Sequence, residues 1–398
     1  MKLLMVSPSL PSPTWGAGTR NYHLLKTLAR DHTVSLLALV DSPNVDEGDL
    51  SLLKALAHTV RIAVRPTPPS KRLQQLMYMV RGKSYVVEIN SCLQKDLDML
   101  LLDEDYDAVI YESALVANYR IPEDVQCIVD QHNIEYELLW RTYQRETTWL
   151  RKWYNRLESR LLRPIEIERC RKADLVLTTS ERDCSLLKSK LPRSVIEVVP
   201  NGVDTNIFRC NAQEEETGQI IFTGAMNYYP NIDAVYYFAQ HCWPLIQAQI
   251  PGTTWKIVGS NPLPEVRRLA ELPGVTVTGT VPDVRPYLAA SAVAIAPLQI
   301  GSGTRLKILE ALAMQRAVVS TSIGCEGLSV IPGKHLVVED RPEAFAQAVV
   351  TLLNNPEMRT AYGAAGRTLV ESEYSWERCG AILLRILETN LREREQVC

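Results

Sequence analysis

The stretch Gly301-Ser302-Gly303-Thr304-Arg305-Leu306-Lys307-Ile308-Leu309-Glu310-Ala311-Leu312-Ala313 decides how this chain folds. A short apolar run, Ala292 to Pro297, precedes it, and another, Ala317 to Ser320, follows it. Both read as buried strands. Between them Arg305 to Met314 has good helix formers and neither Gly nor Pro. The order is therefore strand, glycine turn, helix, strand. In an open α/β sheet such a unit puts the helix N-terminus at the carboxyl end of the strands, where ligands bind. Backbone N–H groups and the helix dipole favour an anion there. Gly301 and Gly303 let a phosphate approach the backbone, Arg305 and Lys307 add positive charge, and Glu310 can accept hydrogen bonds from a pair of sugar hydroxyls. These residues fit a nucleoside diphosphate carrying a sugar. They also fit a plain turn whose Lys307 and Glu310 pair on a solvated face. A Walker-type loop is excluded, because no Gly-Lys-Ser/Thr closes the turn.

The same alternation runs outward from this stretch in both directions. Ile220–Gly224, Trp255–Gly259 and Val275–Gly279 read as strands before it, and Leu336–Val338 as one after it. In the first half Lys2–Ser7, Thr33–Val40, Val60–Val64, Asp107–Tyr111, Cys127–Asp130, Asp174–Thr178 and Val195–Val199 read as strands between helices. Pro200-Asn201-Gly202-Val203-Asp204 interrupts the pattern with strong turn signals. A chain of 398 residues exceeds what one core usually spans. The expectation is two doubly wound, Rossmann-like α/β domains facing across a cleft: 1–200, 201–375, and a last helix, 376–398, packing back toward the first.

Composition narrows the class. A formal charge of −3 gives no sign of a nucleic-acid partner. Nine cysteines, an odd number without a Cys-x-x-Cys pair, argue against a disulfide framework or zinc site and for a reducing, cytoplasmic setting. The apolar run Met1–Val6 is too short for a signal peptide. His132 follows the Cys127–Asp130 strand, which puts an imidazole on the ligand side, able to bond a hydroxyl or move a proton. Asp103-Glu104-Asp105 precedes its strand and reads as a solvated turn, away from the ligand side. One long helix is predicted over Glu135–Lys172, with a break at Pro164. Its basic residues and Trp140, Tyr143, Trp149, Trp153 and Tyr154 fit contact between 140–172 and an anionic membrane face. An ordinary helix with one buried aromatic stripe and a solvated charged face is favoured over that contact.

Read end to end, the chain resembles the retaining glycosyltransferases of family 4, which have the GT-B fold. The resemblance rests on Gly16-Ala17-Gly18, Asp130-Gln131-His132-Asn133, Val199 to Asp204, Phe222-Thr223-Gly224, Gly279-Thr280-Val281-Pro282-Asp283, and Gly303 to Ala313. It implies transfer of a sugar from a nucleoside diphosphate sugar to a saccharide or lipid-linked acceptor, with retained configuration and no metal or other cofactor. The exopolysaccharide-type members are the most similar; the setting read from the cysteines and the basic aromatic helix is cytoplasmic, in part peripheral on the inner face of the membrane. By position, His132 would lie near the transferred sugar as the catalytic residue. Gly16, Ala17, Gly18, Gly224, Gly301, Ser302, Gly303, Thr304, Arg305 and Lys307 would face the donor, with Val281 near the base and Glu310 on the ribose.

Two departures stand out. Ser302 occupies the place where the family often has the first of two glutamates. The turn Gly224-Ala225-Met226-Asn227 lacks the arginine and the later lysine that commonly clamp the diphosphate. Arg305 and Lys307 are the candidates to supply that charge. The competing readings are a nucleotide-sugar 2-epimerase of the same fold, which would need acid/base carboxylates that the sequence does not locate, and a non-catalytic nucleotide-sugar-binding protein.

Overall fold

The structure, a computed structural model, describes residues 1–13, 16–65, 70–88, 93–117, 120–210, 216–301 and 303–395. Ser302 lies outside them. The chain divides into two compact units, Met1–Pro200 with Cys379–Cys398, and Asn201–Arg378.

The first unit is built on seven parallel strands: β1 (Lys2–Ser7), β2 (Thr33–Val40), β3 (Thr59–Val64), β4 (Ala108–Tyr111), β5 (Gln126–Gln131), β6 (Leu175–Thr178) and β7 (Ile196–Val198). Their order is β3-β2-β1-β4-β5-β6-β7. The order reverses between β1 and β4, so the crevice for a ligand opens beyond the carboxyl ends of those two strands. Residues 3–7 of β1 and all of β4 are buried, as expected for parallel strands covered on both faces.

The second unit repeats the plan with six parallel strands: β8 (Glu216–Thr223), β9 (Thr254–Val258), β10 (Val275–Gly279), β11 (Ser291–Ala296), β12 (Ala317–Ser320) and β13 (Val337–Val338). Their order is β10-β9-β8-β11-β12-β13, with its reversal between β8 and β11. Successive side chains of a strand point to opposite faces, and the two cores show it. Ile220, Phe222, Val293 and Ile295 pack with Trp255 and Phe345 on one face. Ile221, Ala294 and Ala296 pack with Ile308, Leu309 and Leu312 on the other. Alanines at 294 and 296 let the helix Leu306–Ala313 lie close to the sheet.

One predicted element is corrected. The helix expected over Glu135–Lys172 is two helices, Glu135–Arg145 and Trp149–Lys172, and Pro164 lies inside the second. The break falls at Glu146, whose backbone is extended and whose carboxylate accepts the Thr148 N–H at 2.9 Å. That local turn competes with helix at 146–148, whereas Pro164 costs one backbone bond within a long packed helix. The expected buried aromatic stripe is also absent: Trp149 and Trp153 are exposed.

Gly202, at the start of the second unit, matters for packing. A Cβ on Gly202 would stand 2.8 Å from the Trp376 ring. The last helix, Trp376–Glu395, is counted with the first unit from Cys379 onward. There Gln126 Nε2 donates to Asn390 Oδ1, and a Cβ on Gly380 would meet Thr27 at 2.7 Å.

Candidate functional site

In the first unit the glycines after β1 do not form the end of a loop. Gly16 to Gly18 are the first turn of the helix Gly16–Asp31, whose leading N–H groups have no intrahelical acceptor. Arg20 follows on the same helix and is buried. Its Nε and Nη2 donate to the two oxygens of Asp130 at 2.7 and 2.6 Å, and its Nη1 donates to the carbonyls of Val199 and Pro200 at 2.9 and 3.2 Å. One guanidinium thus ties the helix after β1 to the end of β5 and to the last two residues before Asn201.

His132 follows β5 as predicted from sequence, and the structure gives it two carboxylate neighbours. Its Nε2 lies 3.1 Å from Glu112 Oε2 and 3.3 Å from Asp130 Oδ2. Glu112 follows β4 directly, so adjacent strands bring both acids to one place. Neighbouring bonds hold this corner. Gln131 Oε1 accepts the Ala114 N–H at 2.9 Å, and Gln131 Nε2 donates to Glu166. Glu166 in turn accepts the N–H groups of Glu135 and Tyr136, both at 3.0 Å, which caps the helix Glu135–Arg145.

Burial and charge act against each other in this cluster. Burial would raise Asp130, but Arg20 and His132 hold it well below the usual carboxylate range. Burial would lower His132, but Asp130 and Glu112 raise it to about 9. Burial pushes Glu112 up to about 7, against the pull of His132 and Arg20. The imidazole is therefore a cation near neutral pH. Glu112, Asp130 and His132 are grouped closely enough to be considered as metal ligands. A metal ion there would compete with the Arg20 cation, from which both Asp130 oxygens already accept.

In the second unit Gly224, directly after β8, has φ +150°, a backbone region that favours glycine. A Cβ there would stand 2.7 Å from Asn231 Nδ2 and 3.0 Å from Lys307 Nζ. Lys307 therefore reaches from the helix Leu306–Ala313 to the turn after β8. Its Nζ donates to Asn231 Oδ1 at 2.6 Å and lies 3.9 Å from the Phe222 ring centre. Asn231 Nδ2 donates to the Ala225 carbonyl at 2.9 Å, so one amide braces both the turn and the ammonium. Burial, and then the Arg305 charge, lower Lys307 to about 7, with Glu310 opposing.

Glu310 is half-buried and, among the described residues, has no side-chain hydrogen bond and no ion pair within 4 Å. Burial pushes it up to about 7, opposed by Lys307. The surface Lys307–Glu310 pair is thus not formed; the lysine bonds Asn231 instead. Arg305 is turned into its own loop, with Nη1 on the Gly303 carbonyl at 2.7 Å. Gly301 and Gly303 are buried beside it, Gly303 with φ +69°, and Thr304 is half-buried. Val281 packs at the edge of the core under the Leu306–Ala313 helix. The departure at Met226 has a packing explanation: its side chain is fully buried and its N–H bonds the Ser260 carbonyl at 2.7 Å.

Each unit thus brings together residues that sequence reading left apart. Glu112 and Asn231 were not singled out at all, and Arg20 and Asp130 stood only as neighbours of other motifs. The carboxylates that the sequence did not locate are Glu112 and Asp130. Their positions at strand ends were readable; their meeting depended on strand order.

Two family models match this chain. One described as Glycosyltransferase Family 4 covers residues 15–207, and one described as Glycosyl transferases group 1 covers residues 217–355. A GDP-mannose-dependent monoacylated alpha-(1-6)-phosphatidylinositol monomannoside mannosyltransferase of Corynebacterium glutamicum is 37% identical over 91 residues, 23% of this chain. The match spans only 24% of that protein. An uncharacterized 44.6 kDa protein from the cps region of Klebsiella pneumoniae is 22% identical over 89% of this chain and 91% of its own. Among solved structures, the sucrose-phosphate synthase of Thermosynechococcus elongatus superposes with a TM-score of 0.74 over 98% of this chain and 99% of its own, at 16% identity. HepE of Anabaena, in complex with UDP-glucose, superposes with a TM-score of 0.69 over 98% of this chain and 100% of its own, at 14% identity. Two Rossmann-like parallel sheets and the paired family matches lead to one conclusion: the chain belongs to the family 4, group 1 glycosyltransferases and has the GT-B fold.

Proposed function

We propose that this protein is a retaining, metal-independent glycosyltransferase of cell-surface polysaccharide or glycolipid synthesis. It would act at the cytoplasmic side and move a sugar from a nucleoside diphosphate sugar to a saccharide or lipid-linked hydroxyl acceptor. The observation that carries the reading is the presence on one helix of both Lys307, held at the Gly224 turn, and Glu310, a carboxylate without a described partner. The first suits a diphosphate and the second the hydroxyls of a ribose. Names of similar proteins support the donor class: one is GDP-mannose-dependent, another was solved with UDP-glucose. The cps region of the Klebsiella relative supports the surface-polysaccharide role.

In this reading Lys307 and the backbone N–H groups at Gly303–Thr304 offset the charge that develops on the leaving diphosphate. Arg305 shapes the turn that presents them. The acceptor hydroxyl attacks from the face the diphosphate leaves, and the departing phosphate oxygen takes its proton. His132, a cation between Glu112 and Asp130, orients the donor sugar or the acceptor. Asp130 is not free to act as a base, since Arg20 occupies both its oxygens. Epimerisation would have to rely on Glu112, the remaining carboxylate of the cluster, to move protons.

A thermal-shift screen against UDP, GDP, ADP, CMP and dTDP, repeated with Glu310→Ala, tests the donor site. A ligand at 100 times its dissociation constant adds about 2.7 kcal/mol. One diphosphate should shift the wild type and not the variant; no shift from any of them would overturn the reading. Turnover with acceptors, followed by NMR of the product anomer, then separates transfer from epimerisation, which releases free sugar without acceptor, and from binding alone.

A further inference from the structure

The helix Lys71–Val80 is amphipathic, yet its apolar stripe points away from the protein. Leu73, Leu76 and Val80 recur at helical spacing and are 66%, 52% and 80% exposed. The other side of the helix does the packing. Gln75 Nε2 donates to the Tyr154 hydroxyl at 3.3 Å, and the Tyr78 ring lies 6.2 Å from that of the buried Tyr85. Tyr154 belongs to the helix Trp149–Lys172, which begins with Trp149, Leu150 and Trp153, exposed by 67%, 62% and 62%. Two adjoining helices of the first unit therefore present large apolar side chains to solvent, beyond the scattered exposure normal for a surface.

Charge says what covers them. Residues 71–83 contain four basic residues and no acidic one. Residues 141–163 contain seven basic residues and two acidic ones, Glu146 and Glu158, and both acids are buried. Glu158 is used inside, accepting from Ser84 Oγ and the Val86 N–H. Arg81, Lys83, Arg151, Arg160 and Arg163 are exposed, so the outward charge among the described side chains is cationic, on a chain whose net charge is −3. Arg156 also lies over the Trp153 ring at 5.6 Å, so a basic group accompanies an exposed indole. A second copy of the chain would bring like charges together. Single-stranded nucleic acid would need ring faces for its bases, and the 71–80 stripe is aliphatic. An anionic bilayer matches both parts, taking the aliphatic and indole groups at the headgroup boundary and the cations on lipid phosphates.

We propose that the outer faces of the helices Lys71–Val80 and Trp149–Lys172 form a docking surface for anionic membrane. A chain held there meets a lipid-linked acceptor at the bilayer surface; only that consequence rests on the transferase reading. The test is flotation of the full chain with vesicles of phosphatidylglycerol and phosphatidylcholine, and with phosphatidylcholine alone, in low and high salt. Wild type should float with the anionic vesicles in low salt and far less in the other conditions. Leu76→Glu with Val80→Glu, and separately Trp149→Ala with Trp153→Ala, should each lower that partitioning about tenfold or more. Circular dichroism and thermal melting show that each variant folds. Absence of wild-type binding, or unchanged binding in both folded variants, overturns the proposal. So does a concentration-dependent dimer, without vesicle binding, that the same substitutions abolish. Nucleoside diphosphate shifts measured without vesicles report the donor site separately, so either reading can fail while the other stands.

Discussion

Arg20 and Asp130 are the most consequential pair in the first unit at the level of single residues. Removing one partner of a buried ion pair leaves the other charge uncompensated and costs about 3–5 kcal/mol. Arg20→Ala should therefore lose stability of that order in urea unfolding, more than an exposed pair such as Arg171–Glu168 could. His132 adds a pH signature. Its folded value, about 9, lies above its unfolded value. The stabilisation is thus complete below the unfolded value, near 6.5, and is lost as pH rises through about 9. The melting temperature of wild type should fall over that window, and His132→Gln should lack the fall. An unchanged pH profile in the variant would mean that the imidazole is not the cation between the two acids.

The element that holds the donor machinery is the helix Leu306–Ala313 with the turn after β8. Lys307→Ala removes the ammonium from that turn. Hydrogen bonds to charged groups contribute about 1.5–3 kcal/mol, so nucleoside diphosphate affinity should fall about tenfold to hundredfold by calorimetry. Asn231→Ala leaves the charge but removes its brace, and affinity should fall less. Gly224→Ala imposes a Cβ between Asn231 and Lys307 on a backbone that favours glycine, so it should weaken binding even though no charge is lost. At this scale the limits of sequence reading have a physical cause. Apolar periodicity reports where a strand runs and which side its ligand end faces, and so β5, β8, β11 and His132 were legible. It does not report strand order. Glu112 and His132 are 20 residues apart, Asn231 and Lys307 76, and Arg20 and Asp130 110. The first pair meets because β4 and β5 are neighbours, and the other two because the sheets reverse between β8 and β11 and between β1 and β4. The missing arginine and lysine near Gly224 were visible in sequence; that a lysine from a later helix reaches the same turn was not.

At the scale of the whole chain, the two units differ in how they are assembled from sequence. Asn201–Arg378 is continuous, whereas the first unit is closed by Cys379–Cys398, residues that arrive after the entire second unit. The closing helix buries Cys379, Leu383 and Leu387, and its Asn390 bonds Gln126 at the start of β5. Burying a leucine contributes about 1.5–3 kcal/mol, and domains have only about 5–15 kcal/mol in total, so this helix carries a large share of what holds the first unit folded. The second unit owes nothing to a distant segment, and its sheet has a core on each face. A fragment of residues 201–378 should therefore melt cooperatively and keep a diphosphate-dependent shift that Lys307→Ala removes. A fragment of residues 1–200 should show no cooperative melt, and should regain one when a peptide of residues 376–398 is added. Cooperative unfolding of the 1–200 fragment alone would show that the last helix is an accessory, and would place the stability of the first unit in its own sheet.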